Sequence, residues 1–360
     1  MLTYIIRRLL LMFPTLLGIT MVVFFVMAMS PGGIAGNLIN QQGEMNSEQG
    51  RITQEYYNKR YGLDKPVIVQ YVNWLNQISP LGYEVKYVNG ERALGSFGFK
   101  VPDLGESFSK LRPVTDLYSE ALPITLLLNA LSLPMIYLIA IVSGVYAAKH
   151  RGQIYDIASS SSFLSLWSIP TIWMGVLLIG FLANDKYLHI FPTAGLGSTL
   201  SGDFPFFPRW GETGFEPGWF IDRIWHLVLP VFCLSYGGFA FTSKLVRTSV
   251  LENLNADFVR TARAKGVSGK DALWKHAFRN SLLPLITVAA GIVPSLLAGS
   301  VIVERIFSIQ GMGNLMVEGI FARDRDLVLA GTLISGVITL VCILIADICY
   351  AFADPRVSYE

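Results

Sequence analysis

The densest run of side chains that could do chemistry lies between Asp257 and Arg279, reading D-F-V-R-T-A-R-A-K-G-V-S-G-K-D-A-L-W-K-H-A-F-R. Gly269-Lys270, placed after Ala264, has the outline of a phosphate loop. A working loop of that kind needs glycine where Ala264 stands, Ser or Thr where Asp271 stands, and a strand leading into it. All three are missing, so nucleotide binding by this segment is rejected. Covalent and hydrolytic chemistry also lack their parts. The chain has no nucleophile paired with a base, no paired helical aspartates and no H-E-x-x-H. His150, His189, His226 and His276 are scattered, and Cys233, Cys342 and Cys349 lack metal-ligand spacing.

What remains is a basic amphipathic segment. Phe258, Val259 and Ala262 recur at helical spacing, with Arg260, Arg263 and Lys265 between them. Gly266 stands where a left-handed residue would close that helix. Ser268 and Asp271 form an S-x-x-D start for the next one, with Leu273, Trp274, Ala277 and Phe278 expected on one side. Such a helix–turn–helix needs a surface to cover its apolar side chains. Anionic lipid headgroups would serve, and so would a partner protein.

The elements holding this loop are hydrophobic helices. Of 360 residues, 52% are hydrophobic and 15% charged, against about 25% charged in soluble domains. Net charge is only +2, so no global field points to nucleic acid. Apolar blocks run over Leu9–Met29, Ala121–Ala148, Phe163–Leu182, Leu227–Leu245, Leu282–Val303 and Leu327–Phe352. A bilayer core needs about 20 apolar residues per helix, and backbone groups in lipid must be satisfied within the segment. The expected fold is therefore an all-α integral membrane bundle of about six transmembrane helices. The first block is too long for a cleaved signal peptide and reads as a retained helix.

Arg7, Arg8, Lys149, Arg151, the basic run from Lys244 to Arg279, and Arg356 all fall on one side if every block crosses. The positive-inside rule makes that side, and both termini, cytoplasmic. On the other side lies Pro31 to about Ser119, long enough for a small domain, with a turn signal at Asn89-Gly90 and a helical stretch over Val67–Ile78. The expected organisation is residues 1–30 as tail and first helix and 31–119 as an extended outer segment. Residues 120–352 form a five-helix core with the loop 247–280, and 353–360 a cytoplasmic tail.

At this point a family resemblance becomes specific. Arg260-Thr261-Ala262 with Gly266, then His276-Ala277-Phe278-Arg279-Asn280 and Leu283-Pro284, resembles the "EAA" loop of ABC importer permeases in its oligopeptide/dipeptide variant. Ile5-Arg7-Arg8-Leu9 through Pro14-Thr15, Pro31-Gly32, Tyr61-Gly62-Leu63-Asp64-Lys65-Pro66, Glu304-Arg305-Ile306-Phe307-Ser308, Gly311-Met312-Gly313, Arg323-Asp324 and Asp354-Pro355-Arg356 look like further motifs of that family, in order along nearly the whole chain. Size and the extended outer segment look most like the B-type subunit of Yej-type microcin C and oligopeptide importers. Arg260 replaces the Glu, and Arg279 the Pro, of the general pattern; both are usual in the peptide branch.

The resemblance implies an ABC type I importer permease fold with a periplasmic segment, in the bacterial inner membrane. It implies a subunit that is not itself an enzyme and binds no cofactor. ATP and Mg²⁺ would sit on two ABC ATPase subunits or one fused ATPase. A second homologous permease, a periplasmic peptide-binding protein, a peptide substrate and the lipid bilayer complete the expected partners. Arg260, Thr261, Ala262, Arg263, Ala264, Lys265, Gly266, Leu273 and His276 would form the ATPase-coupling loop, with Ala262 and Leu273 filling a groove. Glu304, at the outer end of the fifth helix, is a candidate contact for substrate or delivery protein. The competing expectations are an ion-coupled secondary transporter, which predicts inverted repeats and midplane charges, and a membrane-anchored scaffold.

Overall fold

The structure is a computed structural model that describes residues 2–29, 62, 65–88, 91–199, 202, 204–211, 214–216 and 218–353. In chain order, α1 spans Leu2–Met29, α2 Val67–Ile78, β1 Leu81–Val88, β2 Glu91–Phe99, β3 Glu106–Ser107 and β4 Arg112–Pro113. Then come α3 Val114–Lys149, α4 Ile154–Trp167, α5 Thr171–Leu178, a π turn Ile179–Ala183, β5 Arg209–Gly211 and β6 Gly214–Glu216. The remainder is α6 Gly218–Leu254, α7 Asp257–Ala264, a helical turn Gly269–Asp271, a π segment Ala272–Phe278, α8 Arg279–Ile306, α9 Met312–Ala322 and α10 Arg325–Ala353. The motifs at Pro31-Gly32 and Asp354-Pro355-Arg356, the Asn89-Gly90 turn, and Tyr61, Leu63 and Asp64 lie outside the described residues.

Among the described residues, four helices are long and apolar enough to span a bilayer, and the bent pair α4–α5 makes up to five. The fifth apolar block, Leu282–Val303, lies within α8. The protein is mostly helical, and among the described residues three short two-stranded antiparallel hairpins accompany the helices. β1 and β2 pair with Val88 opposite Glu91.

The third block is not the single helix its apolar run suggests. It breaks between Trp167 and Thr171 and bends by 98°. Pro170, φ −60° and ψ 144°, caps the second half and cannot donate a backbone hydrogen bond. The break is sealed from α6, where the Tyr236 hydroxyl donates to the Ile169 carbonyl at 2.5 Å and the Cys233 thiol lies 3.6 Å from the Thr171 carbonyl. Non-helical backbone at membrane depth survives only with partners of this kind.

Two compact units divide the chain, residues 1–121 with 315–338, and residues 122–314 with 339–360. In the first, Phe24, Tyr71, Trp74 and Leu329 form a buried cluster. Tyr71 donates to the Leu17 carbonyl at 3.0 Å, and the Arg325 guanidinium lies 4.9 Å from the Phe24 ring centre. Asp324, fully buried, accepts from Ser107 Oγ at 2.6 Å and from the Ser109 amide and hydroxyl at 3.0 Å. This seats the β3–β4 hairpin on the start of α10.

In the second unit, α3, α4, α5, α6 and α8 enclose one core that includes Leu128, Ile136, Phe239, Val246, Leu285 and Phe307. Small residues let the helices approach closely. A Cβ on Gly144 would lie 2.6 Å from the Ser243 carbonyl and 2.7 Å from Val246 Cβ. Beside it the Ser143 and Ser243 hydroxyls meet at 2.8 Å.

Candidate functional site

The Asp257–Arg279 segment is one folded piece rather than a solvated loop. α7 carries Asp257 in its first turn and Arg263 in its last, both complementary to the helix dipole. Val259 and Ala262 are its buried residues, and Val259 packs with Ala272 and Ala277 of the following π segment. The helix then stops abruptly. The Gly266 amide donates to the Arg263 carbonyl at 2.9 Å and the Val267 amide to the Ala262 carbonyl at 3.2 Å. These two bonds make a Schellman closure. It requires a left-handed residue, and Gly266 has φ +86°. Two residues on, the Ser268 hydroxyl accepts from the Asp271 amide at 3.1 Å and starts the next helical path.

That path differs from a short separate helix. Gly269–Asp271, the π segment and α8 follow one another without interruption from Gly269 to Ile306. A displacement of the turn is therefore fed into a spanning element. The wider π turn also redistributes the apolar side chains. Ala272, Leu273 and Ala277 face inward, whereas Trp274 is exposed and meets Phe278 edge-on at 5.2 Å. The 3.6-residue spacing that groups Leu273 with Trp274 fails because π geometry advances the helix differently.

Burial also reassigns two expected contacts. Ala262 and Leu273 are 9% and 8% exposed. They pack inside this chain and are not available to fill a partner's groove. The outward face consists of Arg260, Thr261, Arg263, Ala264, Lys265 and Gly266, with Phe258 and Trp274 as its exposed large apolar groups. His276 is half-buried, and its carbonyl accepts from the Asn280 side chain at 3.1 Å. The Arg260–Asp257 pair, 3.6 Å apart and exposed on both sides, contributes little. Hydrogen bonds from Lys275 and Ser268 hold the Asp271 carboxyl below the usual aspartate range.

Two polar contacts hold α6, the helix that leads into the loop. Asn253, near the end of α6, donates to the Ser281 hydroxyl at 3.1 Å and the Ser249 carbonyl at 2.9 Å. Arg247 forms a two-pronged pair with Asp156 of α4, at 2.5 and 2.7 Å. The Gly152 amide adds a third bond to that carboxylate at 2.9 Å.

Glu304 is fully buried. Its carboxylate accepts from Thr125 Oγ1 at 2.7 Å and from the Asn314 amide at 2.8 Å, and the Ile309 amide bonds its carbonyl at 2.7 Å. Thr125 in turn accepts from the Met312 amide at 2.8 Å. Gly311 leaves room for this carboxylate, which any Cβ there would strike. Glu304 thus folds the segment 309–314 around itself, in the position of a carboxylate at the α9 N-terminus. Burial removes it from direct contact with a ligand in this arrangement. Sequence reasoning singled out Glu304 but not Thr125, Asp156 or Asn253; the one signal was a polar or acidic residue beside an apolar block.

Helices of membrane-spanning length thus carry a folded basic turn. Comparison with known proteins gives that arrangement a family. The family described as "Binding-protein-dependent transport system inner membrane component" matches residues 140–359. Its N-terminal companion, "Binding-prot-dependent transport system membrane comp, N-term", matches residues 1–129. The chain belongs to this family of permease subunits. It is 37% identical over 360 residues to the oligopeptide transport system permease protein AppB of Bacillus subtilis, covering 100% of both chains. It is 32% identical to the inner membrane ABC transporter permease protein YejB of Escherichia coli O157:H7, covering 99% of each. It is 31% identical to the di/tripeptide transport system permease protein DppB of Pseudomonas aeruginosa, covering 100% of each.

Proposed function

We propose that this chain is one of two homologous permease subunits of an ATP-driven importer that moves peptides across the bacterial inner membrane. Peptide as cargo is supported by the names of the relatives, which are oligopeptide and di/tripeptide permeases. A periplasmic binding protein delivers the peptide, and two ABC ATPase subunits or one fused ATPase, carrying ATP and Mg²⁺, supply the work. Both termini and the Asp257–Arg279 loop face the cytoplasm, and the segment 31–119 faces outward.

The observation that carries this reading is the Gly266 closure. It locks α7 into a short rigid knob whose polypeptide continues into α8. When the ATPases close on ATP, the knob moves with them and α8 transmits the motion. Alternating access is then a two-state equilibrium biased by nucleotide. Arg260, Arg263 and Lys265 orient the docking, Thr261, Ala264 and Gly266 allow close approach, and Phe258 and Trp274 supply apolar contact. Ala262, Leu273 and His276 hold the knob together from behind.

The test is Gly266→Val in the assembled transporter. A Cβ at Gly266 meets nothing within 4 Å in the isolated chain, so the cost to the fold is the left-handed backbone alone, about 1 kcal/mol or more. Against a docked partner the same side chain clashes. Uptake should fall severely at matched expression, with ATPase binding lost or hydrolysis uncoupled. Normal uptake by Gly266→Val would falsify the coupling role. Uptake by the isolated chain without ATP would instead favour the ion-coupled reading.

A further inference from the structure

We propose that the cleft between α4 and α6 is a binding site for an anionic phospholipid. The cleft has a volume of about 500 Å³ and is lined by Ser160, Ser161, Phe163, Trp167, Phe241 and Lys244 among others. Its two walls run antiparallel. Asp156 meets Arg247 at one level, and the Phe163 and Phe239 rings meet at 5.6 Å further along. The cleft is therefore graded. Lys244 and the serine hydroxyls lie toward the end held by Asp156 and Arg247, which is also the end facing α7. Phe163, Trp167 and Phe241 form the wall toward the middle of α6 and the C-terminal end of α4.

Charge decides the occupant. The Arg247 charge is neutralised by Asp156 at 2.5 Å. Lys244 has no carboxylate partner among the described residues and is exposed at the end of the apolar block of α6, where the basic run begins. A cation placed so at a membrane face attracts an anionic headgroup. A phosphodiester accepting from Lys244 and the Ser160 and Ser161 hydroxyls fits that place. The aromatic wall then takes the glycerol backbone and first acyl carbons, which a free phosphate ion would leave bare. Basic clefts between spanning helices near one membrane face take lipid headgroups in this way. The inference uses the membrane-spanning character of the chain and stands apart from the peptide-import reading.

The test is retention of phosphatidylglycerol by the full chain after transfer from nanodiscs of phosphatidylcholine containing a minor fraction of phosphatidylglycerol, counted by native mass spectrometry. The unaltered chain should retain phosphatidylglycerol in preference to phosphatidylcholine, alone and with its transporter partners. Lys244→Gln should lower that retention about fivefold, the effect of one cation near the surface. Ser160→Trp, which fills the cleft from an exposed position, should lower it comparably. Lys270→Gln, in the exposed turn, should change nothing. Equal retention of both lipids, an unchanged Lys244→Gln, or an equal loss in Lys270→Gln would overturn the site. So would loss of the lipid in the assembled transporter, which would give the cleft to a protein neighbour.

Discussion

Arg247 and Asp156, 91 residues apart, close a two-pronged ion pair between α6 and α4, with Asp156 buried and Arg247 half-buried. Breaking a buried pair by removing one partner leaves the other charge uncompensated, at a cost of about 3–5 kcal/mol. Arg247→Ala should therefore lower stability in detergent by about 3 kcal/mol. The double change Arg247→Met with Asp156→Leu should recover most of it. Denaturation of the three variants checks this; a double variant no better than the single one would mean the pair is not the unit.

Glu304 is the second buried anchor. Glu304→Ala strands the Thr125 hydroxyl and the Asn314 amide. The expected loss is about 3 kcal/mol, since each buried polar group left without a partner costs about 1–3. Glu304→Gln keeps the shape and one acceptor, so it should cost clearly less. Limited proteolysis between Ile309 and Asn314 should rise in the alanine variant. A variant as resistant as the parent would return Glu304 to the candidate ligand contacts.

Orientation is checked by labelling. Ser96→Cys in β2 should react with a membrane-impermeant thiol reagent on intact cells, and Ser268→Cys only after the membrane is opened. Reaction at Ser268→Cys in intact cells would invert the topology.

Asp271 gives the turn a pH dependence. Its folded-state pKa is depressed by bonds from Lys275 and Ser268. A depressed carboxyl contributes stability that is present above the unfolded value, about 3.9, and fades as pH falls through the lower folded value. Hydrogen exchange at the Ala272 amide, corrected for intrinsic rate, should stay slow from about pH 6 down to about pH 4 and quicken below. In Lys275→Ala the acid-induced loss should be smaller, because the folded value then lies closer to the unfolded one. An identical profile in both would remove Lys275 as the cause.

The sequence was most readable where the determinants are local. Gly266 and the Ser268/Asp271 start act within five residues, and both took the conformation their types favour. Val67–Ile78 is helical over its full expected length. Local patterns could not reveal Glu304 with Thr125, 179 residues apart, or Asp324 with Ser107, 217 apart. Those pairs depend on which helix ends the fold brings together. The third block reads as one apolar run; its break at Pro170 is accompanied by a bond from Tyr236, on another helix, that no local pattern shows. Leu273 and Trp274 were misgrouped because a π segment cannot be told from an α-helix by apolar spacing alone.

The same misgrouping yields the last prediction. With Ala262 and Leu273 packed inside the chain, the apolar part of any docking falls to Phe258 and Trp274, 43% and 44% exposed. Large aromatic anchors carry most of the binding energy at protein interfaces, commonly about 2 kcal/mol or more each when truncated. Charges at the rim mainly set encounter rate and orientation. Trp274→Ala should therefore weaken ATPase binding about tenfold or more. Arg263→Ala should change the association rate and its salt dependence with less effect on dissociation. Because both aromatic side chains are exposed in the isolated chain, their truncation should leave its melting temperature nearly unchanged, which separates lost docking from lost folding. Surface-immobilised ATPase and detergent-solubilised permease give both rate constants. If Arg263→Ala accelerates dissociation more than Trp274→Ala does, the contact is electrostatic and the aromatic face lies elsewhere, against lipid.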